Sequence, residues 1–279
     1  MEKRFTWKAV LFIAIVMIIF DVCLVNRHLI YEAYLSLSDV EFKNEYGVFI
    51  GVTDEDEYDF DDYETIIIDA QYFTKEEITQ LKKEGHIVYS YLNIGSLEEF
   101  RDYYDEYKGI CLKEYDGWEG EYWVDITDSD WQFFITDKLS IELMRKGIDG
   151  FFVDNLDVYY EYKYESVYNA AVNILQKLKA ESAGVIINGG DVFVREYEKK
   201  TGDLSSILNG VNQECVFTTL SGEKSDEDDR EYFEEYLKGL SCDVYLLEYT
   251  DDDQLKKEIM TYCRNNGYNY YITEDVELK

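Results

Sequence analysis

Proline is absent from all 279 residues. Turns must therefore be built from the 17 glycines and from Asn, Asp and Ser, whose short side chains bond their own backbone. Histidine is almost absent, with only His28 and His86. That argues against zinc hydrolases and against triads that use imidazole as the base. Basic residues are few beside acidic ones: 27 Lys and Arg face 60 Asp and Glu, a net charge of −33. A nucleic-acid partner is not expected, because neutralising phosphates takes a basic face. The five cysteines, Cys23, Cys111, Cys215, Cys242 and Cys263, form no CxxC pair and are odd in number. Neither a disulfide framework nor a zinc cluster is expected from them, and neither a metal nor a cofactor is implied.

What is present begins with the N-terminus. Lys3, Arg4 and Lys8 precede an apolar run from Ala9 to Phe20, which Asp21 interrupts and Val22 to Val25 resume. A basic flank before an apolar stretch near ~20 residues reads as an export signal, oriented with the positive end inside. No A-x-A-like cleavage site follows. Residues 1–26 are thus expected to be a signal peptide or signal-anchor helix, 27–44 a juxtamembrane segment, and 45–279 one catalytic domain. That domain is expected outside the cell or at its surface, touching the membrane only through the N-terminal helix.

Residues 45–279 come close to the ~250 residues typical of a (β/α)8 barrel. Short apolar runs recur along them: 47–51, 65–69, 87–92, 122–126, 150–154, 184–188, 210–214 and 244–248. Continuous β-branched and aromatic runs suit parallel strands buried on both faces. Amphipathic segments such as 75–84, 131–146, 166–180, 231–240 and 254–265 lie between them, and strand–helix alternation means a parallel α/β architecture. The expected fold is a (β/α)8 TIM barrel, with 269–273 as a ninth, peripheral strand and no helix in the first crossover. A doubly wound open sheet is the alternative. No GxGxxG or GxxxxGK[ST] follows any strand to support it.

Polar residues end most of these runs: Asp69, Asp125, Asp154 with Asn155, Asn188, Glu214 and Glu248, with Tyr91 and Asn93 at the third. The C-terminal strand ends of such a barrel share one rim, where active sites lie. Carboxylates, amides and tyrosines without histidine suit glycoside hydrolysis, which needs one carboxylic acid and one carboxylate as nucleophile or base. Trp118, Trp123, Tyr91, Tyr159, Tyr160 and Tyr249 are candidate sugar platforms. Two other readings use the same rim: a carboxylate-held divalent cation at Asp125, Asp154 and Glu214, and a non-catalytic barrel that tethers matrix polysaccharide. The acidic runs at 54–57, 226–229 and 251–253 read as solvated loops. His86, at the start of its strand, is expected on the opposite, structural face.

Six blocks occur together and in order: YSYLNIGSLEEFRDYY (89–104), WEGEYWVDI (118–126), GIDGFFVDNLDVY (147–159), IINGGD (186–191), GVNQECVF (210–217) and LLEYT (246–250). This set resembles the endo-α-1,4-polygalactosaminidase family of glycoside hydrolases, family 114, whose members are (β/α)8 barrels. The resemblance implies Asp154 as nucleophile and Glu214 as general acid/base. Many relatives carry that Glu directly after Asn, whereas here Gln213 intervenes, and a glutamine cannot transfer a proton. The resemblance also implies that Asp69, Tyr91, Trp123, Asp125, Asn155, Asn188 and Glu248 line the cleft, beside Asn93. The implied substrate is an α-1,4-linked galactosamine or N-acetylgalactosamine exopolysaccharide. If it is cationic, Asp69, Asp125 or Glu248 is expected to face its amine. A monomer is expected, and a retaining enzyme would hold its two carboxyls ~5–5.5 Å apart.

Overall fold

The computed structural model describes residues 42–279, apart from Asp54 and Ala183. The expected signal or anchor, 1–26, and most of the juxtamembrane segment, 27–44, lie outside the described residues. Among the described residues no helix is long and apolar enough to cross a membrane.

Among the described residues eleven strands are present: β1 Asn44–Phe49, β2 Tyr63–Ile68, β3 Ile87–Asn93, β4 Ser96–Glu98, β5 Cys111–Glu114, β6 Glu121–Val124, β7 Gly150–Asp154, β8 Gly184–Asn188, β9 Gly210–Glu214, β10 Asp243–Tyr249 and β11 Asn269–Thr273. Eight form one sheet in the order β1-β2-β3-β7-β8-β9-β10-β11. Every neighbouring pair in it is parallel. The first and last strands come together: Phe49 on β1 lies 5.3 Å from Tyr271 on β11, and the Gly51 amide donates to the Leu278 carbonyl at 3.1 Å. The result is a nearly closed (β/α)8 barrel with helices outside.

Two strand assignments differ from the sequence expectation. The run 122–126 is not a barrel strand. Its residues 122–124 fall in β6, which pairs antiparallel with β4 and β5 in a separate three-stranded sheet inserted between β3 and β7. The run 269–273, set at the periphery, is the eighth barrel strand. Composition alone does not separate these two short aromatic runs. Pairing does, since β11 lies parallel to β10 whereas β6 lies antiparallel to β4 and β5.

The local chemistry explains the elements. Ile66, Ile67 and Ile68 on β2 and Phe151, Phe152 and Val153 on β7 are all at most 1% exposed, because barrel filling meets one face and helices the other. Helix Lys75–Glu84 starts at a reciprocal Thr74–Glu77 capping box and ends at left-handed Gly85. Helices also fill the β7–β8, β8–β9, β9–β10 and β10–β11 crossovers, while β1 and β2 are joined by a loop. At the barrel floor Gly150 and Gly184 open their strands. A Cβ on either would collide with the Tyr89 ring or its hydroxyl, so glycine is what admits that large side chain. His86 is 1% exposed, its Nδ1 2.8 Å from the Tyr63 carbonyl oxygen, in a structural setting at the foot of β3.

Candidate active site

The C-terminal ends of β7, β8, β9 and β10 carry Asp154, Asn188, Glu214 and Tyr249, and one amide joins the group. Asn188 Nδ2 donates to Asp154 Oδ1 at 3.0 Å and to Glu214 Oε1 at 2.7 Å. Two hydrogens on one amide nitrogen diverge by about 120°, which sets the two acceptor oxygens about 5 Å apart. The amide cannot turn over freely. Its own Oδ1 accepts from Asn212 Nδ2 at 2.6 Å, and Asn212 Oδ1 accepts from the Tyr46 hydroxyl at 3.1 Å. Asn212 stands two residues before Glu214 on the same face of β9. Tyr46 and Asn212 are at most 1% exposed, so the barrel core dictates which end of Asn188 meets the carboxylates.

The two carboxylates are held differently. Asp154 receives three donors: Asn188, its neighbour's amide at Asn155 at 2.9 Å, and the Tyr91 hydroxyl at 3.1 Å. Glu214 receives two, from Asn188 and from the Tyr249 hydroxyl at 2.8 Å. Burial raises both pKa values, and all these bonds pull back down. For Glu214 the second largest influence is the charge of Asp154, which raises it further. More donors favour the carboxylate at Asp154, and the adjacent charge favours the protonated acid at Glu214.

Each carboxylate is followed by a residue in left-handed backbone, Asn155 at φ 61° and Cys215 at φ 57°. Such conformations persist where surrounding contacts over-determine them. Asn155 is pinned through its side chain, which donates to Ser96 Oγ at 2.7 Å and Glu121 Oε1 at 2.9 Å. Cys215 donates its amide to the Leu247 carbonyl at 3.0 Å.

These groups open into a cavity of about 780 Å³. Its wall holds nine carboxyl side chains and one basic one, Arg101. Asp69, Tyr91, Asn155 and Asn188 line it with Asp154 and Glu214. Asp69 is not free there: Arg101 Nη1 meets it at 2.5 Å and Arg101 Nη2 meets Glu98 at 3.0 Å. Trp118, 49% exposed, stands at the rim with Phe100 and Tyr72. Tyr91 and Tyr249 serve as hydroxyl donors, while Tyr159 and Tyr160 are not in the wall.

Four residues expected in the cleft are placed behind or beside it. Trp123 is buried and packs on Tyr115, 4.2 Å between ring centres, and it is Tyr115 that reaches the wall. Asn93 donates to Ser96 and to Glu121. Asp125 accepts from the Thr127 amide at 2.9 Å as a turn cap. It and Trp123 lie apart from the barrel rim because β6 belongs to the insert. Glu248, fully buried, grips the backbone amides of 216, 217 and 218 at 3.0–3.1 Å. Strand alternation sends Glu248 away from the mouth and Tyr249 into it. Glu248 thus steadies the turn that follows Glu214. Of the acidic runs, Asp226 and Asp252 cap helices Glu227–Gly239 and Asp253–Asn266, and Asp226 and Asp229 reach the cavity rim.

Sequence reasoning passed over Glu98, Arg101, Glu121, Asp157, Asn212 and Tyr46. Glu121 and Asp157 sit inside the quoted blocks, but nothing local marks them as facing a cleft. Burial pushes Glu121 up to about 7 and Asp157 up to about 6. Among the described residues no group of three or more His, Cys, Asp or Glu is arranged to hold a metal ion.

Known proteins place this geometry. The glycoside hydrolase domain of PelA from Pseudomonas aeruginosa superposes with a TM-score of 0.69 at 15% identity, covering 84% of this chain and 96% of that one. The crystal structure of Aspergillus fumigatus Ega3 in complex with galactosamine superposes at 0.63 and 17% identity, over 85% and 93%. An α-galactosidase from Thermus thermophilus superposes at 0.56 and 9% identity, over 88% and 61%. At such identities the likeness is one of fold. In sequence, an uncharacterized protein of Methanocaldococcus jannaschii is 25% identical over 228 residues, 72% of this chain and 65% of the relative. The chain thus spans just under two thirds of that relative's length. The model of glycoside-hydrolase family GH114 matches residues 39–278. That match covers the whole barrel, and the chain belongs to glycoside-hydrolase family GH114.

Proposed function

We propose that this enzyme cleaves α-1,4-linked galactosamine polysaccharide outside the cell, with retention of anomeric configuration. The observation that carries the reading is the single amide of Asn188 bonded to both Asp154 and Glu214. A spacing of roughly 5 Å supports a retaining pair, since an inverting pair stands ~6.5–9.5 Å apart to hold a water. Asp154 attacks C1 while Glu214 gives its proton to the departing glycosidic oxygen. The C1–O bond breaks and an ester to Asp154 forms. Glu214, now ionised, takes a proton from water as that water attacks C1 and frees Asp154. Tyr91 and Asn188 hold Asp154, and Tyr249 orients Glu214.

Galactosamine as the sugar is supported by the ligand of Ega3 and by the acidity of the cavity wall. Export is supported by the basic flank and apolar run of residues 1–26. The test is to incubate the full chain, in mild detergent, with α-1,4-galactosamine polymer beside Asp154→Asn and Glu214→Gln. Oligosaccharides from wild type alone, released first as the α-anomer by proton NMR, are expected. Release of the β-anomer would overturn retention. Binding without release would move the reading to a tethering barrel.

A further inference from the structure

The seam of the barrel is closed by something other than a ladder. Among the described residues β1 is paired as a strand with β2 alone, and β11 with β10 alone. Across the seam the rings of Phe49 and Tyr63 pack on that of Tyr271, with centres 5.3 and 5.8 Å away. At the mouth end the chain after β11 folds back over the join. Asp275 builds that turn. Its side chain accepts from the Glu277 amide at 2.9 Å and the Lys279 amide at 3.0 Å, and its carbonyl accepts from the Leu278 amide at 3.3 Å. Residues 275–279 thus form a strap, whose Leu278 carbonyl takes the Gly51 amide just past β1 at 3.1 Å. The approach is close enough to require glycine, because a Cβ on Gly51 would stand 1.9 Å from the Glu277 carbonyl oxygen.

The strap is held under strain. Leu278 has φ 56°, a region that bulky side chains rarely enter, and it is 4% exposed. Among the described residues three non-glycine residues are left-handed, Asn155, Cys215 and Leu278, and all three line the cavity of the catalytic pair. Such conformations gather at active sites, where surrounding contacts over-determine them. Asn155 and Cys215 directly follow Asp154 and Glu214. Leu278 follows no catalytic group, but its strap holds β1, and β1 carries Tyr46. The Tyr46 hydroxyl fixes Asn212, and Asn212 fixes the Asn188 amide between the two carboxylates. With a ladder on one side only, β1 is the member of this relay that strand pairing leaves least restrained. We propose that the strap is a positioning element of the catalytic site: by fastening β1 at the seam, Gly51 and Leu278 keep Tyr46 on Asn212 and so set the Asn188 amide that spaces Asp154 from Glu214. The inference rests on the two-carboxylate reading of the cavity.

The test is a double-mutant cycle on turnover of α-1,4-galactosamine polymer by the full chain. Gly51→Ala wedges the strap away from β1 and should lower kcat about tenfold, with KM changed less than about threefold. Tyr46→Phe should cost kcat about as much. In the Tyr46→Phe background the relay is already cut, so Gly51→Ala should lower kcat by less than about twofold more. Leu278→Ala takes the buried side chain of the strap out of the core and should show the same coupling. It carries the test if the Gly51 variant does not fold. Equal losses of kcat in both backgrounds would reduce the strap to general stability, and a rise in KM alone would make it a cavity wall. Either result overturns the inference, as does unchanged turnover. Asp154→Asn, run alongside, separates the two claims. Its loss of turnover without strap coupling leaves the two-carboxylate reading standing. Turnover by Asp154→Asn at the wild-type rate, or none by wild type, sinks that reading and the positioning role with it.

Discussion

The barrel mouth and the three-stranded insert share one cavity but are built on opposite terms. At the mouth every acceptor that matters is answered: Asp154 by three donors, Glu214 by two, and the shared amide by a chain running down to Tyr46. In the insert, Glu98 and Glu121 stand opposite each other, and the buried Glu98 Oε2 has no donor. A saturated network is rigid and suits bond-making, which tolerates little misplacement. An unsaturated one carries the cost of a buried acceptor left without a donor. The same contrast shows in the backbone: of the left-handed non-glycine residues among those described, Asn155 and Cys215 each follow a barrel carboxylate, Leu278 lies in the C-terminal segment, and none lies on β4, β5 or β6.

Substitutions can break this contrast. The largest effect is expected at the mouth. Asp154→Asn should lower kcat by about 10³-fold or more with little change in KM, measured as reducing ends released from polymer. Glu214→Gln should cost about 10²–10⁴-fold and recover partly on an aryl glycoside, whose leaving group needs no proton. Deeper in the same network, Asn212→Leu frees the Asn188 amide and should cost about 10²-fold in kcat through misplacement alone. Both carboxyls then lose a donor that lowers their pKa, so both limbs of the pH–rate profile should move to higher pH. Tyr46→Phe should shift them less, in the same direction. A profile that stays put in the folded variants would reduce Asn212 to packing.

The insert should respond in KM instead. Trp118→Ala removes a stacking face at the rim and should raise KM by roughly threefold to tenfold at constant kcat. The smallest effect concerns stability. Asp157 and Glu121 are raised chiefly by burial, to about 6 and about 7. For Asp157, the charges of Asp154 and Asp191 add to the rise and the Gly190 amide opposes it; for Glu121, Glu98 and Asp154 add to it, and bonds from Ser96 and Asn93 oppose it. Values above those of the unfolded chain mean that the folded state holds more protons. The stability they contribute is full below about pH 4 and is lost as pH rises through about 6 and 7. Tm should therefore be lower at pH 8 than at pH 5, and Glu121→Gln should flatten that fall in a calorimetric scan.

What the sequence determined by itself follows from local rules. Runs such as 65–69, 150–154 and 184–188 are largely apolar up to their last residue because both their faces are buried, and that pattern survives in the linear chain. Asp154 and Asn188 at the ends of two of them, and Glu214 at the end of 210–214, could be picked out because barrel topology sends strand ends to one rim whatever lies between them. Tertiary structure decided the rest. Whether 122–126 or 269–273 joins the barrel is a matter of which strand each one pairs with, and pairing partners lie far away in sequence. Whether Glu248 or Tyr249 faces the mouth depends on a one-residue phase, and that is set by register against β9 and β11. Glu98 and Glu121 are separated by a short helical segment, 104–110, and by β5, and only the β4–β6 ladder makes them opposite. Asn212 and Tyr46 read as ordinary strand residues until the barrel closes and brings them under Asn188. Local patterning names the strands that carry chemistry, but the facing of charges across space belongs to the fold, because hydrogen bonds and Coulomb forces act over distance and not over sequence separation.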